Sequence, residues 1–412
     1  MKIQRCKGMR DLSPEEMTVF RLVEGICRDS FIKWGYREVR TPTIEYLHLF
    51  TSAGTLTPGR LGKVYSFLDW DGWSGERVVL RPDGTIPVAR FYAESLHNQG
   101  LARLFYAANT FIFEEADDKT REKWQCGAEL IGAGSSVADA ELIAMSLATL
   151  TKLGLTGVEI RLSHAGLIQA LLAKLGLNPE EQHRTFDRIL DGDEAALAKV
   201  GRESPELEGV LKPLLSLDGQ PPGFLQNQKA ILARTIPEIT TSLDNFLQTV
   251  ALLDDLGIGY RINIASGAGF EYYTGIIFQF FIGGEKVGGG GRYDALIPSM
   301  GGGDIPASGF ALYLDSLMGL VKPESVIVST PERVLVQAKS DDVLKPAFEM
   351  ADSLRQAGYI AEIDLDSKKA TARWTIAISN KTPAFTLVDR SGRVSFSSTD
   401  ELLKYLEGKS GD

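Results

Sequence analysis

Hydrophobic and polar positions predict alternating helices and strands over the first 165 residues. Ser13-Pro14-Glu15-Glu16 has the pattern of a capping box with proline in the first turn. It predicts an amphipathic helix that reaches Trp34 and ends at Gly35. Two apolar runs flank a charged loop and predict a hairpin of strands at 104–113 and 125–131. The other elements predicted here are strands at 36–40, 77–80 and 158–162 and a helix at 136–154.

The pattern changes twice along the rest of the chain. From about 165 to 255, Leu, Ala and Lys recur at helical spacing, which predicts a helical insertion. Strands are predicted to resume at 260–264 and 276–282, and a helix is predicted from Ala311. We expect a body at 1–320 that contains the insertion, a linker at 321–330 and a small α/β domain at 331–412. In that domain the pattern predicts strands at 334–338, 360–364, 374–379, 384–389 and 393–396 and helices at 342–356 and 399–406.

Composition is that of an ordinary globular protein, with 44% hydrophobic and 24% charged residues. The apolar runs are shorter than the roughly 18 residues of a membrane span, and no secretory signal is recognisable, so we expect no membrane contact. Cys6, Cys27 and Cys126 are odd in number and widely spaced, which indicates reduced thiols in a cytoplasmic protein. The four histidines are not at ligand spacing, so we expect no metal and no cofactor.

The net charge of −10 argues against a nucleic-acid ligand, because phosphate contacts need a basic surface. A basic patch can still be local in an acidic protein. The segment 331–412 carries 12 Lys and Arg against 13 Asp and Glu, which makes a poor surface for RNA. We therefore expect no specific binding of tRNA.

Gln125 and Glu129 are the first candidates for a binding site. Their spacing of four places both on one face of the second hairpin strand, because side chains alternate along a strand. An amide and a carboxylate on one face suit a ligand that carries hydrogen-bond donors. The same spacing also fits a solvent-facing polar pair on a half-exposed strand, and the spacing alone favours that interpretation.

Other features have a structural interpretation beside the functional one. Tyr272 and Tyr273 fit either a pocket wall or the core, and Arg292-Tyr293-Asp294 fits either a structural ion pair or a site. Gly288 to Gly291 looks like a phosphate cradle, but no Lys-Ser or Lys-Thr follows it, which argues against a P-loop. Cys126 has no histidine near it in the sequence, so we expect it to serve packing.

Five segments in order resemble the histidyl-tRNA synthetases, a class II family. The resemblance covers about residues 5 to 320 and, more weakly, the tail. It implies an α+β fold with an antiparallel sheet flanked by helices and a small C-terminal α/β domain similar to a reduced anticodon-binding domain. The five segments are Thr41-Pro42-Thr43-Ile44-Glu45, Leu80-Arg81-Pro82-Asp83-Gly84-Thr85, the hairpin 104–131, Gly269-Phe270-Glu271-Tyr272-Tyr273-Thr274-Gly275 and Val287-Gly288-Gly289-Gly290-Gly291-Arg292-Tyr293-Asp294.

The chain departs from this family where its members carry catalytic arginines. Ile112 replaces the arginine of the second motif, Ala268 that of the histidine-specific motif and Ser316 that of the third motif, Gly-Leu-Glu-Arg. Adenylation builds negative charge at the α-phosphate, and losing one cationic donor to such charge typically costs about 10²–10³ in rate. The resemblance with these losses therefore implies a chain that does not catalyse adenylation.

The amino-acid pocket is better preserved than the phosphate site. The resemblance assigns histidine binding to one set of residues, with Asp83 where the family has Glu. Asp83 and Thr85 are expected to close one end of the pocket and the two tyrosines the other. The set consists of Asp83, Gly84, Thr85, Gln125, Glu129, Tyr272 and Tyr273.

A synthetase-like body without these arginines, with its histidine pocket kept, resembles the regulatory subunits of ATP phosphoribosyltransferase. That resemblance implies a homodimer core, a hetero-oligomer with a short-form catalytic subunit, and feedback by histidine as effector on the first step of histidine biosynthesis. Two alternatives remain open at this point. One is a divergent histidyl-tRNA synthetase, and the other is a stand-alone histidine-binding or RNA-binding module.

Overall fold

A computed structural model gives the structure of the chain. It describes residues 4–52, 61–70, 75–113, 120–174, 236–263, 272–322, 331–365, 372–389 and 392–409, with isolated positions between 177 and 234. Most of the predicted insertion at 165–255 and most of the predicted linker at 321–330 lie outside the described residues. The chain divides into two compact units, Met1–Val326 and Ile327–Asp412.

The first unit is built on an eight-stranded sheet with helices on it and a small three-stranded sheet. Its strands are β1 (Arg37–Glu38), β2 (Ile44–Tyr46), β3 (Ser66–Trp70), β4 (Gly75–Leu80), β5 (Ala102–Phe111), β6 (Glu122–Ile131), β7 (Glu159–His164), β8 (Arg261–Ile262), β9 (Ile276–Ile282), β10 (Glu285–Arg292) and β11 (Ala307–Tyr313). Its helices are α1 (Pro14–Lys33), α2 (Leu47–Ser52), α3 (Thr85–Ser95), α4 (Ser136–Lys152), α5 (Ala165–Ala173), α6 (Thr240–Asp255), α7 (Leu296–Ser299) and α8 (Leu314–Leu320).

The order of the large sheet is β1-β5-β6-β11-β10-β9-β7-β8. Its outermost pairs, β1 with β5 and β7 with β8, are parallel, and every pair between them is antiparallel. One face packs on α1, where the Phe31 ring meets Phe105 and Phe310 edge to face. Cys126 also lies on this face, buried, so it serves packing as expected. The opposite face carries Gln125 and Glu129.

The local signals at α1 act as the sequence indicates. Ser13 accepts a hydrogen bond from the Glu16 amide at 3.2 Å, and the Glu16 carboxylate accepts one from the Ser13 amide at 2.7 Å. This capping box satisfies two backbone donors that the helix leaves free. After Trp34, Gly35 takes a φ of 86°, a left-handed conformation that favours glycine. The predicted helix and both of its ends are confirmed.

Gly288 to Gly291 form the middle of strand β10, which agrees with the argument against a P-loop. Without side chains they let the neighbouring strands come very close. A Cβ on Gly290 would overlap the Gly309 carbonyl oxygen of β11. The helix predicted from Ala311 begins at Leu314, since Ala311 continues β11 in register with Gly127. Strand β11 is buried on both faces, so its apolar residues do not alternate with polar ones. Its length therefore could not be predicted from the pattern.

The hairpin of β5 and β6 is confirmed in full, with ten paired positions from Ala102 opposite Ile131 to Phe111 opposite Glu122. The strand predicted at 36–40 is reduced to two residues, Arg37–Glu38. After Pro42 the chain enters a separate sheet of order β2-β4-β3, which sequence reasoning found only in part.

The second unit, which corresponds to the predicted α/β domain, has every element that the pattern predicts. Its sheet has the order β13-β12-β14-β15-β16, parallel among the first three strands and antiparallel beyond β14. The elements are β12 (Arg333–Ala338), α9 (Leu344–Gln356), β13 (Ile360–Ile363), β14 (Trp374–Ile378), β15 (Phe385–Asp389), β16 (Gly392–Phe396) and α10 (Thr399–Lys409).

Two classes of structure are not found in the described parts of the chain. None of the helices described has the length and apolar character to cross a membrane. Within the same residues, no three His, Cys, Asp or Glu side chains are grouped so that they could hold a metal ion.

Candidate functional site

Gln125 and Glu129 lie on one face of β6, as their spacing predicts, and neither faces solvent. Glu129 is 0% exposed and Gln125 is 9% exposed. The interpretation of a solvent-facing polar pair is therefore wrong. Buried polar side chains need hydrogen-bond partners, and the partners of Gln125 and Glu129 define the site.

Glu129 leaves one of its two oxygens without a hydrogen-bond partner among the described residues. Its Oε2 accepts a short hydrogen bond from the Tyr293 hydroxyl. Its Oε1 is buried and has no hydrogen-bond partner among the described residues. Burial raises the pKa of Glu129 well above its ordinary value, although Tyr293 and Thr85 oppose the rise. A carboxylate in this state is prepared to accept a hydrogen bond from a donor that carries positive charge.

Glycines beneath Glu129 make the room for its side chain. Gly309 is opposite Glu129 on β11, and a Cβ there would lie 2.7 Å from the Glu129 Cδ and overlap Oε2. One strand further on, a Cβ on Gly291 would lie 2.9 Å from the Tyr273 ring. The floor of the site is thus a stripe of bare backbone, with the carboxylate on one side and an aromatic ring on the other.

Gln125 is held by Tyr106 on the neighbouring strand. The Gln125 Nε2 donates to the Tyr106 hydroxyl at 3.0 Å. The loop before α3 packs directly on this pair, because a Cβ on Gly84 would lie 2.6 Å from Gln125 Nε2 and would overlap the Tyr106 ring. A Cβ on Gly127 would also overlap the Tyr106 ring. The absence of a side chain at Gly84 therefore allows the contact between loop and strand.

Asp83 closes the site from the loop. Its Oδ1 accepts a hydrogen bond from the Ile86 amide at 2.8 Å, and its Oδ2 accepts one from the Tyr272 hydroxyl at 3.5 Å. Burial raises the pKa of Asp83 to about 6. Thr85, the first residue of α3, is also buried beside it.

Arg81 fixes the position of that loop. Its guanidinium is buried and donates to the carbonyl oxygens of Thr41 at 3.0 Å, of Pro42 at 3.1 Å and of Asn109 at 2.8 Å. It also donates to the Asn109 side chain at 2.9 Å. One side chain thereby ties the segment before β2 and the end of β5 to the loop that carries Asp83.

Tyr272 and Tyr273 are both buried and both belong to the site. Their rings meet edge to face at 5.3 Å, and Tyr272 meets Tyr293 in the same way at 5.5 Å. The Tyr272 hydroxyl reaches Asp83, so the chain before β9 passes beside the loop that precedes α3.

Comparison with known proteins supplies the decisive observation. The family model of histidyl-tRNA synthetase matches residues 8–317. The chain belongs to the histidyl-tRNA synthetase family. It is 54% identical, over 88% of its length and 87% of the relative's, to an ATP phosphoribosyltransferase regulatory subunit of Dehalococcoides mccartyi. It is 33% identical, over 99% of its length and 100% of the relative's, to a histidine–tRNA ligase of Methanosarcina acetivorans.

A solved structure supports the fold of this family. A crystal structure from Bacillus halodurans, described as an ATP phosphoribosyltransferase regulatory subunit/histidyl-tRNA synthetase, matches with a TM-score of 0.74. The match covers 90% of this chain and 95% of that one at 24% identity. The fold is therefore the α+β fold of class II synthetases, as the sequence predicts.

Two of the three positions at which the resemblance implies a lost arginine, Ile112 and Ser316, are among the described residues. Ile112 follows β5, and its amide donates to the Arg121 carbonyl at 2.9 Å. Ser316 lies in the first turn of α8, next to Asp315. Asp315 accepts from the Trp124 amide at 2.7 Å and from Arg10. Ala268 lies outside the described residues.

Sequence reasoning missed Tyr106 and Tyr293 as site residues. Tyr293 was visible only as part of Arg292-Tyr293-Asp294, for which an ion pair and a site were both open. In the structure, the ion pair and the contact with Glu129 belong to two different residues. Arg292 pairs with Asp139 at 2.7 Å on the packed face, while Tyr293 bonds Glu129. Tyr106 has no comparable signal, since β5 also carries the polar residues Arg103, Asn109 and Thr110.

Proposed function

We propose that the chain is the regulatory subunit of ATP phosphoribosyltransferase and binds free histidine in the pocket around Glu129. The observation that carries this proposal is the state of two carboxylates. Glu129 keeps an unbonded buried oxygen, whereas Asp315, beside a lost arginine position, is already bonded within the chain. A chain that keeps the amino-acid pocket but lacks the arginines of the phosphate site fits a protein that binds an amino acid without activating it.

The chemistry of the pocket supports histidine as the ligand. Histidine presents an ammonium group and an imidazole N–H, both donors. Glu129 Oε1 and the Asp83 carboxylate are acceptors on two sides of the site, and the buried aromatic rings of Tyr272 and Tyr273 offer apolar surface to an imidazole. The seven residues assigned from the sequence, Tyr293 and Tyr106 form the proposed binding site.

The partner is proposed from the relatives. The regulatory subunit of Dehalococcoides mccartyi shares 54% of aligned residues with this chain, against 33% for the tRNA ligase of Methanosarcina acetivorans. A regulatory subunit implies a catalytic one, and we propose a short-form ATP phosphoribosyltransferase in a cytoplasmic hetero-oligomer. Histidine would shift a two-state equilibrium of that complex, and couplings of this kind are typically about 1–3 kcal/mol.

A homodimer is proposed as the core of this complex. The segment that resembles the dimer-forming motif leads into the three-stranded sheet β2-β4-β3. That sheet exposes large apolar side chains on both faces, and such exposure marks interaction surfaces. Ile44, Tyr46 and Phe67 lie on one face, and Leu68 and Trp70 lie on the other. Sedimentation at micromolar concentration should give a dimer, and a monomer there would contradict this part of the proposal.

The experiment that tests the proposal is a pull-down of the catalytic subunit by the tagged chain, with and without histidine, together with calorimetry of histidine on the chain alone. We expect capture of the catalytic subunit, histidine binding by the isolated chain and inhibition of the assembled enzyme by histidine. Histidine binding without capture would instead support a stand-alone histidine-binding module.

The second candidate is a divergent histidine–tRNA ligase. It is supported by the family model and by the 33% identity with a ligase along the whole chain. This candidate requires tight, specific binding of histidine tRNA, while the net charge of −10 predicts weak and unspecific binding. A filter-binding comparison of histidine tRNA with other tRNAs at physiological salt distinguishes the two.

A further inference from the structure

Lys286 is a cation at the Gln125 end of the pocket that no motif identifies. Gln125 on β6 is opposite Tyr313 on β11. The register between β9 and β10 shifts between Lys286 and Gly288, so Lys286 falls opposite Phe281. Such a bulge re-aims a side chain. The Lys286 Nζ lies 6.0 Å from the centroid of the Tyr313 ring, on the face that carries Gln125 and Glu129.

The environment of this lysine suits an anion. The side chain is partly buried, and desolvation lowers the pKa of Lys286 to about 8, so the ammonium is largely protonated at neutral pH. A cation taken out of water gains most from a ligand that carries a negative charge. Tyr313 stands where the family's third motif has glycine, so a large ring fills the floor beside this ammonium.

The two ends of the pocket therefore differ in chemistry. Glu129 and Asp83 are carboxyl groups that accept from a cationic donor, and Lys286 is a cation near Gln125, which is four residues along β6 from Glu129. Four residues of a strand span about 13 Å, and β10 lies two strands, about 10 Å, from β6. The reach of the two side chains, subtracted from the resulting separation of about 16 Å, leaves room for one zwitterionic amino acid. Ile112, near the end of β5, offers no positive charge to its carboxylate.

Building on the proposed function, we propose that Lys286 binds the carboxylate of the amino-acid ligand in this chain. The ligand's donors face Glu129 and Asp83, and its carboxylate faces Lys286. The site thereby selects a whole amino acid over an amine that has the same side chain. It also explains how a pocket with Ile112 and Ser316 in place of arginines can still hold a zwitterion.

Calorimetry with two ligands tests the inference on the full chain. Histidine and histamine share the imidazole and the ammonium, and only histidine has the carboxylate. We expect the wild-type chain to prefer histidine by about 10–150-fold, the value of a charge-assisted hydrogen bond. In Lys286→Met the preference should fall to within about threefold, with histamine affinity little changed. Lys286→Arg should keep most of the preference, and Lys33→Met, at an exposed lysine of α1, should keep all of it.

The outcomes separate this inference from the proposed function. If the wild-type chain binds neither ligand, the proposed histidine site is wrong and this inference is wrong with it. If Lys286→Met binds histidine with the wild-type preference, the site stands and Lys286 is not its carboxylate contact. If a folded Lys286→Met chain loses both ligands equally, the lysine only supports Tyr313 and the inference is also overturned. Thermal unfolding of each variant establishes that the chain is folded.

Discussion

Glu129 on β6 and Asp315 in the first turn of α8 are two carboxyl groups beside the same strand, and they differ in how their oxygens are bonded. Glu129, at the amino-acid end, bonds Tyr293 through one oxygen and leaves the other buried without a partner among the described residues. Asp315, next to Ser316, uses one oxygen for the Trp124 amide and the other for Arg10. We expect the first arrangement to leave room for a ligand, whereas both oxygens of Asp315 are already bonded within the chain.

The energetics of burial support this distinction. An unsatisfied buried polar atom destabilises the folded chain by about 1–3 kcal/mol, and burial also raises the pKa of Glu129. A structural carboxylate would be expected to have both oxygens bonded, as Asp315 does. A group held in an unfavourable state inside a pocket points to a ligand that completes it.

The largest effect is expected at the phosphate end. With Ile112, Ala268 and Ser316 in place of arginines, histidine-dependent pyrophosphate exchange should be at least about 10⁴-fold slower than in a ligase, since each cationic donor typically contributes about 10²–10³. The histidine–tRNA ligase of Methanosarcina acetivorans, 33% identical, is the matched positive control. Pyrophosphate exchange well above background would show that the chain still activates histidine, and it would favour the histidine–tRNA ligase.

The next effect is expected at Glu129. Glu129→Ala should weaken histidine binding by about 1.5–3 kcal/mol, roughly 10–150-fold, because the ligand's charge loses its partner. In the assembled phosphoribosyltransferase the same variant should relieve inhibition by histidine and leave activation intact. Calorimetry measures the first effect and an inhibition curve the second. Unchanged affinity would mean that the pocket is misplaced, and joint loss of activation and inhibition would indicate damage to fold or interface.

Asp315 should behave in the opposite way. Asp315→Ala leaves the Trp124 amide and Arg10 without their acceptor and should lower the free energy of unfolding by about 1–3 kcal/mol. Histidine affinity should stay within about twofold of wild type, because no histidine contact is assigned to this carboxylate. Asp11→Ala is the control, since Asp11 is 84% exposed and its pair with Arg5 contributes little. Denaturant unfolding and calorimetry together would expose a ligand role for Asp315.

The sequence predicts the strands and helices at this site better than it predicts the hydrogen bonds between them. The period of two along β6 is enough to place Gln125 and Glu129 on one face, and the capping box is enough to start α1. The partners Tyr106 and Tyr293 come from other strands, and no local pattern encodes which strands become neighbours. The role of the glycines of β10 and β11 could not be predicted either, because their close backbone approach exists only once the sheet is formed.

The smallest effect is expected at Gln125, and it tests whether the amino-acid end works as one unit. Gln125→Ala should weaken histidine binding by about 0.5–1.5 kcal/mol, roughly 2–13-fold, because a neutral amide makes a weaker bond than a carboxylate. Tyr106→Phe is the matched variant, since it removes only the hydroxyl that accepts from Gln125 Nε2 at 3.0 Å. If Tyr106 positions the amide, Tyr106→Phe should have part of the Gln125→Ala effect, and the double variant should lose no more than Gln125→Ala alone. Additive losses in the calorimetric double-mutant cycle would show that the two side chains act independently. A loss at Gln125 as large as that at Glu129 would contradict the ranking of carboxylate over amide on which the site assignment rests.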